Sequence, residues 1–288
     1  MTVRETIQRA SASLTASERK IANAVLADYP FSALHTIQEL AEKTGVSAAS
    51  ITRFVSKIGC SGYQEFQRQL IGELREGGRS PLDLKATEKL SDGDFVADYA
   101  RRAATLLTNM GRYVSHEQFN SIVKLLADPN RVVFLLGGRI SDSIARLLTQ
   151  HLRQIRPRVR HLPQNHEDWP DYIISMRKQD VVVLFDFRRY QADVARLAER
   201  ITVMRHLTII LITDKWMSPV ARYADEVVAL PIENDTAWDT FICAVAFIEA
   251  LFVKVSEANW HATKGRIATW DTLRLSPPAM KSGGGDEA

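Results

Sequence analysis

The stretch Leu40-Ala41-Glu42-Lys43-Thr44-Gly45-Val46-Ser47-Ala48-Ala49-Ser50-Ile51-Thr52-Arg53-Phe54 has the spacing of two helices joined by a tight turn. Leu40 and Ala41 close the first helix, where a small residue permits close crossing. Gly45 supplies the left-handed backbone that the turn needs. Val46 packs beneath the turn, and Ser47 caps the second helix. Ile51, Phe54, Val55 and Ile58 form the buried face of that helix. Its outward positions are then Ser47, Ala48, Ala49, Thr52, Arg53, Ser56 and Lys57, all small, polar or basic, as a helix entering the DNA major groove requires. Between Lys43 and Gln64 there is no Asp or Glu, although Lys43, Arg53 and Lys57 lie there. A phosphate backbone penalises a nearby carboxylate, so the charge agrees with the spacing. The competing reading is a plain helical hairpin whose polar face is merely solvated. Lys43, Ser47, Ala48, Ala49, Thr52, Arg53, Ser56 and Lys57 are the candidate DNA-binding set. Arg53 is expected on a base edge or a phosphate, Lys57 on a phosphate, and Ser47 beside a phosphate at the helix N-terminus.

Outward from this motif the helical signals continue. Thr36-Ile37-Gln38-Glu39 and Thr15-Ala16-Ser17-Glu18 have the form of capping boxes, in which a hydroxyl caps an amide and the glutamate reaches back. Ile21, Val25 and Leu26 share a face, and Tyr29-Pro30 ends their helix because proline disfavours helical geometry before it. Residues 63–74 bring Phe66, Leu70 and Leu74 into step. Residues 75–81, polar with two glycines and a proline, are the best linker. Beyond them, residues 94–112 read as a long helix with Phe95, Tyr99, Ala103, Leu106 and Leu107 on one side. Ser115-His116-Glu117-Gln118 is a third capping box.

After that the texture changes. Apolar runs at 131–136, 181–185, 207–212 and 227–230 alternate with helical patterns. Continuous β-branched runs imply strands buried on both faces of a parallel sheet. The alternation implies right-handed crossovers and a three-layer α/β sandwich. Residues 238–256 read as a closing helix, and the chain from about Ala258 to Ser282-Gly283-Gly284-Gly285 as a flexible tail. The expected fold is multi-domain: an all-α helix-turn-helix domain over 1–76, a linker and connecting helix over 77–114, an α/β three-layer sandwich with a parallel sheet over 115–257, and a tail over 258–288.

Composition narrows the function classes. The 288 residues are 45% hydrophobic and 25% charged, near globular averages. A net charge of +3 is too small to indicate a nucleic-acid partner alone. Cys60 and Cys243 are far apart and lack metal-ligand spacing, which fits a reduced compartment. The N-terminus is polar rather than signal-like. No apolar run reaches the ~18–20 residues of a membrane span, because Glu249 and Lys254 interrupt the longest one. A cytoplasmic protein without membrane contact is expected.

In an open parallel sheet ligands bind at the carboxyl ends of strands. Three loops there draw attention. In Gly137-Gly138-Arg139-Ile140-Ser141, glycines let amides approach an anion and Ser141 can cap the next helix, although a tight turn alone would use the same glycines. In Asp186-Phe187-Arg188-Arg189-Tyr190-Gln191, Arg188 and Arg189 can hold a carboxylate or phosphate, or one pairs with Asp186 while the other faces solvent. Thr213-Asp214-Lys215-Trp216-Met217-Ser218-Pro219 is a turn that can shape the pocket rim. The candidate ligand residues are Gly137, Gly138, Arg139, Ser141, Asp186, Arg188, Arg189, Gln191, Thr213 and Asp214. Six arginines between Arg139 and Arg160, including Arg146 and Arg153 on one face, read as a solvated face or subunit contact before a ligand site. The seven histidines show no metal spacing, and no serine sits in a nucleophile elbow. His161, His166, Glu167 and Asp168 come nearest to a catalytic cluster, which chance explains as well. No catalytic residue, metal or cofactor is expected.

Leu14-Thr15, Glu18-Arg19-Lys20-Ile21-Ala22, Leu40-Ala41, Gly45-Val46-Ser47, Ile51-Thr52-Arg53-Phe54 and Gly59-Cys60-Ser61-Gly62-Tyr63 resemble the N-terminal domain of RpiR/MurR-type bacterial transcriptional regulators. Residues from about 125 to 255 resemble the sugar-isomerase (SIS) domain that follows in that family. The resemblance implies a homodimer or homotetramer on a double-stranded DNA operator, repressing or activating a carbohydrate-catabolism operon. It implies a small anionic effector such as a sugar phosphate or sugar acid, and oligomer contacts through residues 94–112 and 238–256. Gly137, Ser141, Thr213-Asp214 and Ser218-Pro219 match the SIS pattern. Arg139 replaces its second glycine, and residues 186–191 lack the serines, glycine and threonine of its phosphate loop. An isomerase with a helical appendage, or a DNA-binding assembly protein with a dead sensor, remain the alternatives.

Overall fold

The computed structural model describes residues 2–85 and 93–275. The N-terminal head is built from α1 (Val3–Ala10), α2 (Ala16–Ala27), α3 (Ile37–Thr44), α4 (Ala48–Lys57) and α5 (Tyr63–Gly77). Both expected capping boxes are present: the Thr15 and Thr36 hydroxyls accept from the Glu18 and Glu39 amides, and each glutamate accepts in return from the cap's own amide. Gly45 ends α3 at φ 64°, ψ 33°, in the left-handed region. Ser47 then starts α4 by accepting from the Ser50 amide. Ile21, Val25, Leu40, Ile51, Phe54, Val55, Phe66 and Leu70 are buried together and fix the crossing of the helices. Helices this short have little intrinsic stability, so this shared core holds them.

Past the head come α6 (Pro81–Lys85), α7 (Phe95–Asn109) and α8 (His116–Ala127). The α/β domain follows as β1 (Val133–Gly137), α9 (Asp142–Ile155), β2 (Val159–His161), α10 (Trp169–Ser175), β3 (Val181–Phe185), α11 (Ala192–Arg205), β4 (Thr208–Thr213), β5 (Glu226–Ala229), α12 (Ile242–Ala258) and α13 (Trp260–Leu275). All strands pair in parallel in the order β2-β1-β3-β4-β5. Residue parity sorts the side chains to the two faces. Val133, Leu135, Val181, Val183, Phe185, Ile210 and Ile212 pack with α8, α9 and α12. Phe134, Leu136, Val182, Leu184, Ile209 and Leu211 pack with α10 and α11. A parallel sheet covered on both faces gives three layers, as expected.

Four expectations change. Strand β2 was not anticipated: Val159 is buried but Arg160 is exposed, so this edge strand has no apolar run to announce it. The closing helix begins at Ile242, not at residue 238, and Trp238 to Phe241 form a loop. The expected flexible tail is helical as far as Leu275, since α13 packs on α9 and Arg266 donates to the Arg153 carbonyl at 2.8 Å. Ser282–Gly285 lie outside the described residues. The third capping box is half made: Ser115 caps the Gln118 amide, but the Gln118 side chain donates across to the Val227 carbonyl at 3.1 Å.

The head and the α/β domain share a core. Met217, from the loop after β4, is 1% exposed and lies within the head's hydrophobic cluster. The Arg4 guanidinium lies 3.4 Å from its sulfur. Beside it Arg222 pairs with Asp28 at 2.9 Å and stacks on Phe31.

Candidate DNA interface and effector pocket

All eight candidate DNA-binding residues are exposed: Lys43 on the last turn of α3, Ser47 at the cap of α4, and Ala48, Ala49, Thr52, Arg53, Ser56 and Lys57 on α4. The helical period places them there, because Ile51, Phe54 and Val55 turn inward. Their charges are not equally free. Lys57 donates to the Glu18 carboxylate at 2.8 Å and to the Ser13 carbonyl at 2.6 Å. The sequence window from 43 to 64 contains no acid, but folding brings one to Lys57 from α2. Hydrogen bonds from Lys57 and Thr15 hold the Glu18 carboxyl below the usual carboxylate range. Lys43 lies 3.7 Å from Asp28. Arg53 touches only the Ser50 hydroxyl, at 3.2 Å, and has no ion pair among the described residues. Thr52 folds its hydroxyl onto the Ala48 carbonyl.

The second site is a cavity of ≈ 410 Å³ where the loops after β1 and β3 diverge, roofed by the loop before α12. The strand order turns back between β1 and β3, the place where open α/β sheets receive ligands. Gly138, Arg139, Ser141, Asp186, Arg188, Arg189 and Gln191 line it, as the loop reading expects. Pro81, Ile140, Phe187, Trp238, Asp239 and Phe241 line it too and were not anticipated. In sequence, Trp238 to Phe241 read as part of the helix that begins only at Ile242.

Three candidates do not line the cavity. Gly137 ends β1, where an added Cβ would stand 2.4 Å from the Asp142 amide. Thr213 and Asp214 are wholly buried. Thr213 donates to the Asp186 carbonyl at 2.6 Å. Asp214 accepts from the Arg188 amide at 2.6 Å, the Tyr190 hydroxyl at 2.7 Å and the Trp216 amide at 3.0 Å. Burial lifts its carboxyl to about 6 despite these donors. The 213–219 turn therefore shapes the loop and docks the head through Met217, rather than forming a rim. Ser141 does not cap α9: its hydroxyl donates to the Phe185 carbonyl at 2.7 Å and accepts from the Gly138 amide at 2.9 Å.

Asp186 does not pair with an arginine. Its carboxylate accepts from the Ser218 hydroxyl and the Gln191 amide. Burial, at 1% exposure, pushes this carboxyl up to about 7. The Arg188 side chain, 1% exposed, lies over the Trp216 ring at 4.0 Å, with Asp239 at 3.5 Å and Glu233 at 3.6 Å. None of its three nitrogens makes a hydrogen bond. Arg139 and Arg189 form no ion pair among the described residues.

Elsewhere, His161 contacts Asp142 at 2.7 Å, and Asp142 also holds Arg146 and the Gly137 amide. His166 sits apart on Glu167 at the surface. The sequence cluster of His161, His166, Glu167 and Asp168 is thus not assembled into one site. Arg146 and Arg153 are likewise engaged locally, Arg153 with the Val159 carbonyl.

Two family models match the chain. Residues 1–77 match the helix-turn-helix domain of the rpiR family, and residues 125–254 match the SIS domain. The chain joins an rpiR-family helix-turn-helix domain to a SIS domain. It is 27% identical over 219 residues to an uncharacterized HTH-type transcriptional regulator of Haemophilus influenzae, with 75% of each chain covered. Solved structures agree in fold. The sugar isomerase domain of an RpiR transcription factor from Sphaerobacter thermophilus aligns with TM-score 0.57 at 16% identity, covering 63% of this chain and 100% of that one. The Vibrio vulnificus NanR protein, complexed with ManNAc-6P, aligns with TM-score 0.53 at 15% identity, covering 96% and 99%.

Proposed function

We propose that this protein is a one-component transcriptional regulator of a carbohydrate or related catabolic operon. Its head reads a double-stranded DNA operator through Arg53 and the neighbouring exposed face of α4. Its SIS domain binds a small anionic metabolite in the cavity between the β1 and β3 loops. It acts in the cytoplasm as a homodimer or homotetramer and turns over no substrate. The relative solved with ManNAc-6P supports a sugar-derived effector.

The observation that carries control is a hydrogen bond. Arg189 lines the cavity, and its backbone amide donates to the Gly77 carbonyl at the end of α5, at 3.0 Å. The Tyr190 ring lies against Gly77, where an added Cβ would stand 3.0 Å from it. A ligand that resets the 186–191 loop therefore moves the last turn of the head. Coupling requires only that the two loop states bind the ligand unequally.

Fluorescence anisotropy with DNA flanking the protein's own gene tests the reading. Nanomolar to micromolar binding that weakens steeply with salt is expected, and Arg53→Ala should weaken it. Binding indifferent to salt would remove the α4 interface. Turnover of a sugar phosphate by the purified protein would overturn the non-enzymatic part.

A further inference from the structure

The effector cavity offers guanidiniums rather than a cradle of backbone amides. The loop after β3 offers no amide cradle, because four of its six backbone amides are already used. Asp186 N–H donates to Ile212, Arg188 N–H to Asp214, Arg189 N–H to Gly77 and Gln191 N–H to the Asp186 carboxylate. That carboxylate sits where the loop would otherwise wrap an anion. Gln191 closes the slot over Gly138, since a Cβ there would meet its side chain at 2.9 Å.

The charged donors of the lining are guanidiniums. Arg188 lies over Trp216, buried, and leaves every nitrogen without a hydrogen bond, with only the longer contacts to Asp239 and Glu233. An unsatisfied buried donor is costly, and a ligand oxygen would relieve it. Asp239 and Glu233 balance its charge without occupying its donors. The ionisable lining comprises Arg139, Arg188 and Arg189 against Asp239 and Asp186, the latter raised to about 7 by burial. A phosphate dianion seated on Arg188 would bring its second negative charge against Asp239, which already lies 3.5 Å from that guanidinium.

Building on the sensor reading above, we propose that the effector is a carboxylate, its planar group seated on the Arg188 guanidinium, and not a phosphate monoester. A flat carboxylate accepts two parallel N–H bonds from such a fork. Phe187 and Phe241, edge to face at 5.2 Å, supply an apolar wall for the body of the ligand.

Thermal-shift and calorimetric titrations of the full chain with matched anions test this: benzoate against phenyl phosphate, and gluconate against glucose 6-phosphate. In at least one pair the carboxylate should bind and the phosphate should not. Arg188→Lys should weaken that binding roughly ten-fold or more, because a point charge cannot replace the fork. Asp239→Asn should admit the phosphate member. Should Arg188→Lys not fold, Arg139→Ala serves as the second variant, with the same expected direction. Preference for the phosphate in the wild type, or carboxylate binding untouched by both arginine variants, overturns the proposal and leaves a sensor in place. No binding by any of the four, with operator affinity unmoved, overturns the carboxylate site together with the sensor.

Discussion

Asp186 stands at the floor of the cavity with its carboxyl raised to about 7 by burial, against an ordinary value of 3.8. The Ser218 and Gln191 donors favour its charged form, and the Asp214 charge opposes it. Its folded value lies above the unfolded one. The stability linked to its proton is therefore fully present below about pH 4 and lost as pH rises towards 7. Asp214, raised to about 6 by burial, acts in the same direction. The melting temperature should fall between pH 5 and pH 8, and Asp186→Asn should flatten that fall. Calorimetry across this range checks it, and a variant that loses as much melting temperature as the wild type between pH 5 and pH 8 would contradict it. Arg53 carries the second prediction at this scale. Arg53→Ala should cost about 1–3 kcal/mol of operator binding if it reads a base, or lower the salt slope by about 1 if it holds a phosphate. The exposure of Arg53 was legible in the sequence because helical period alone decides it. The pairing of Lys57 with Glu18 and of Arg188 with Asp239 and Glu233 was not. Those partners lie far along the chain, and only tertiary folding brings them together.

Elements show the same division between local and distant causes. The turn between α3 and α4 is written in the chain, since Gly45 adopts φ 64° and Ser47 caps. Nothing lies within 4 Å of a Cβ added at Gly45, so Gly45→Ala meets only backbone strain. It should cost on the order of 1 kcal/mol, with operator affinity falling in step with head stability in urea titrations. The three inner strands β1, β3 and β4 announce themselves because burial on both faces demands unbroken apolar runs. The sequence hides β2 and α13 for the opposite reason. The former is a three-residue edge, and the latter buries Thr263 without an apolar stripe. Of the cavity, the two glycine- and arginine-bearing loops were legible. The roof of Trp238, Asp239 and Phe241 was not, because an apolar stretch leading into a helix looks like the helix itself.

At the scale of the whole molecule, the seam between head and sensor decides how a ligand is felt. Met217 fills the head's core from the sensor side, and Gly77 receives the Arg189 amide from the cavity loop. Met217→Ala should destabilise the chain by about 2–5 kcal/mol through the cavity it leaves. The unfolding trace should split from one transition into two as the domains lose their common core. Gly77→Ala acts on signalling instead, because its Cβ would press on Tyr190 at 3.0 Å. It should change operator affinity or its response to ligand while leaving the fluorescence-monitored melt of the sensor in place. The Asp28–Arg222 pair beside Met217 is partly exposed and contributes little by comparison, under about 1 kcal/mol.

The buried thioether has a further consequence for kinship and engineering. A head whose core is completed by a side chain 140 residues beyond its own last helix is not a portable cassette. Grafted onto another sensor, it would carry an empty socket unless the recipient offers a residue of Met217's shape at the same corner. Swaps of operator preference among relatives should then succeed only when the turn after β4 travels with the head.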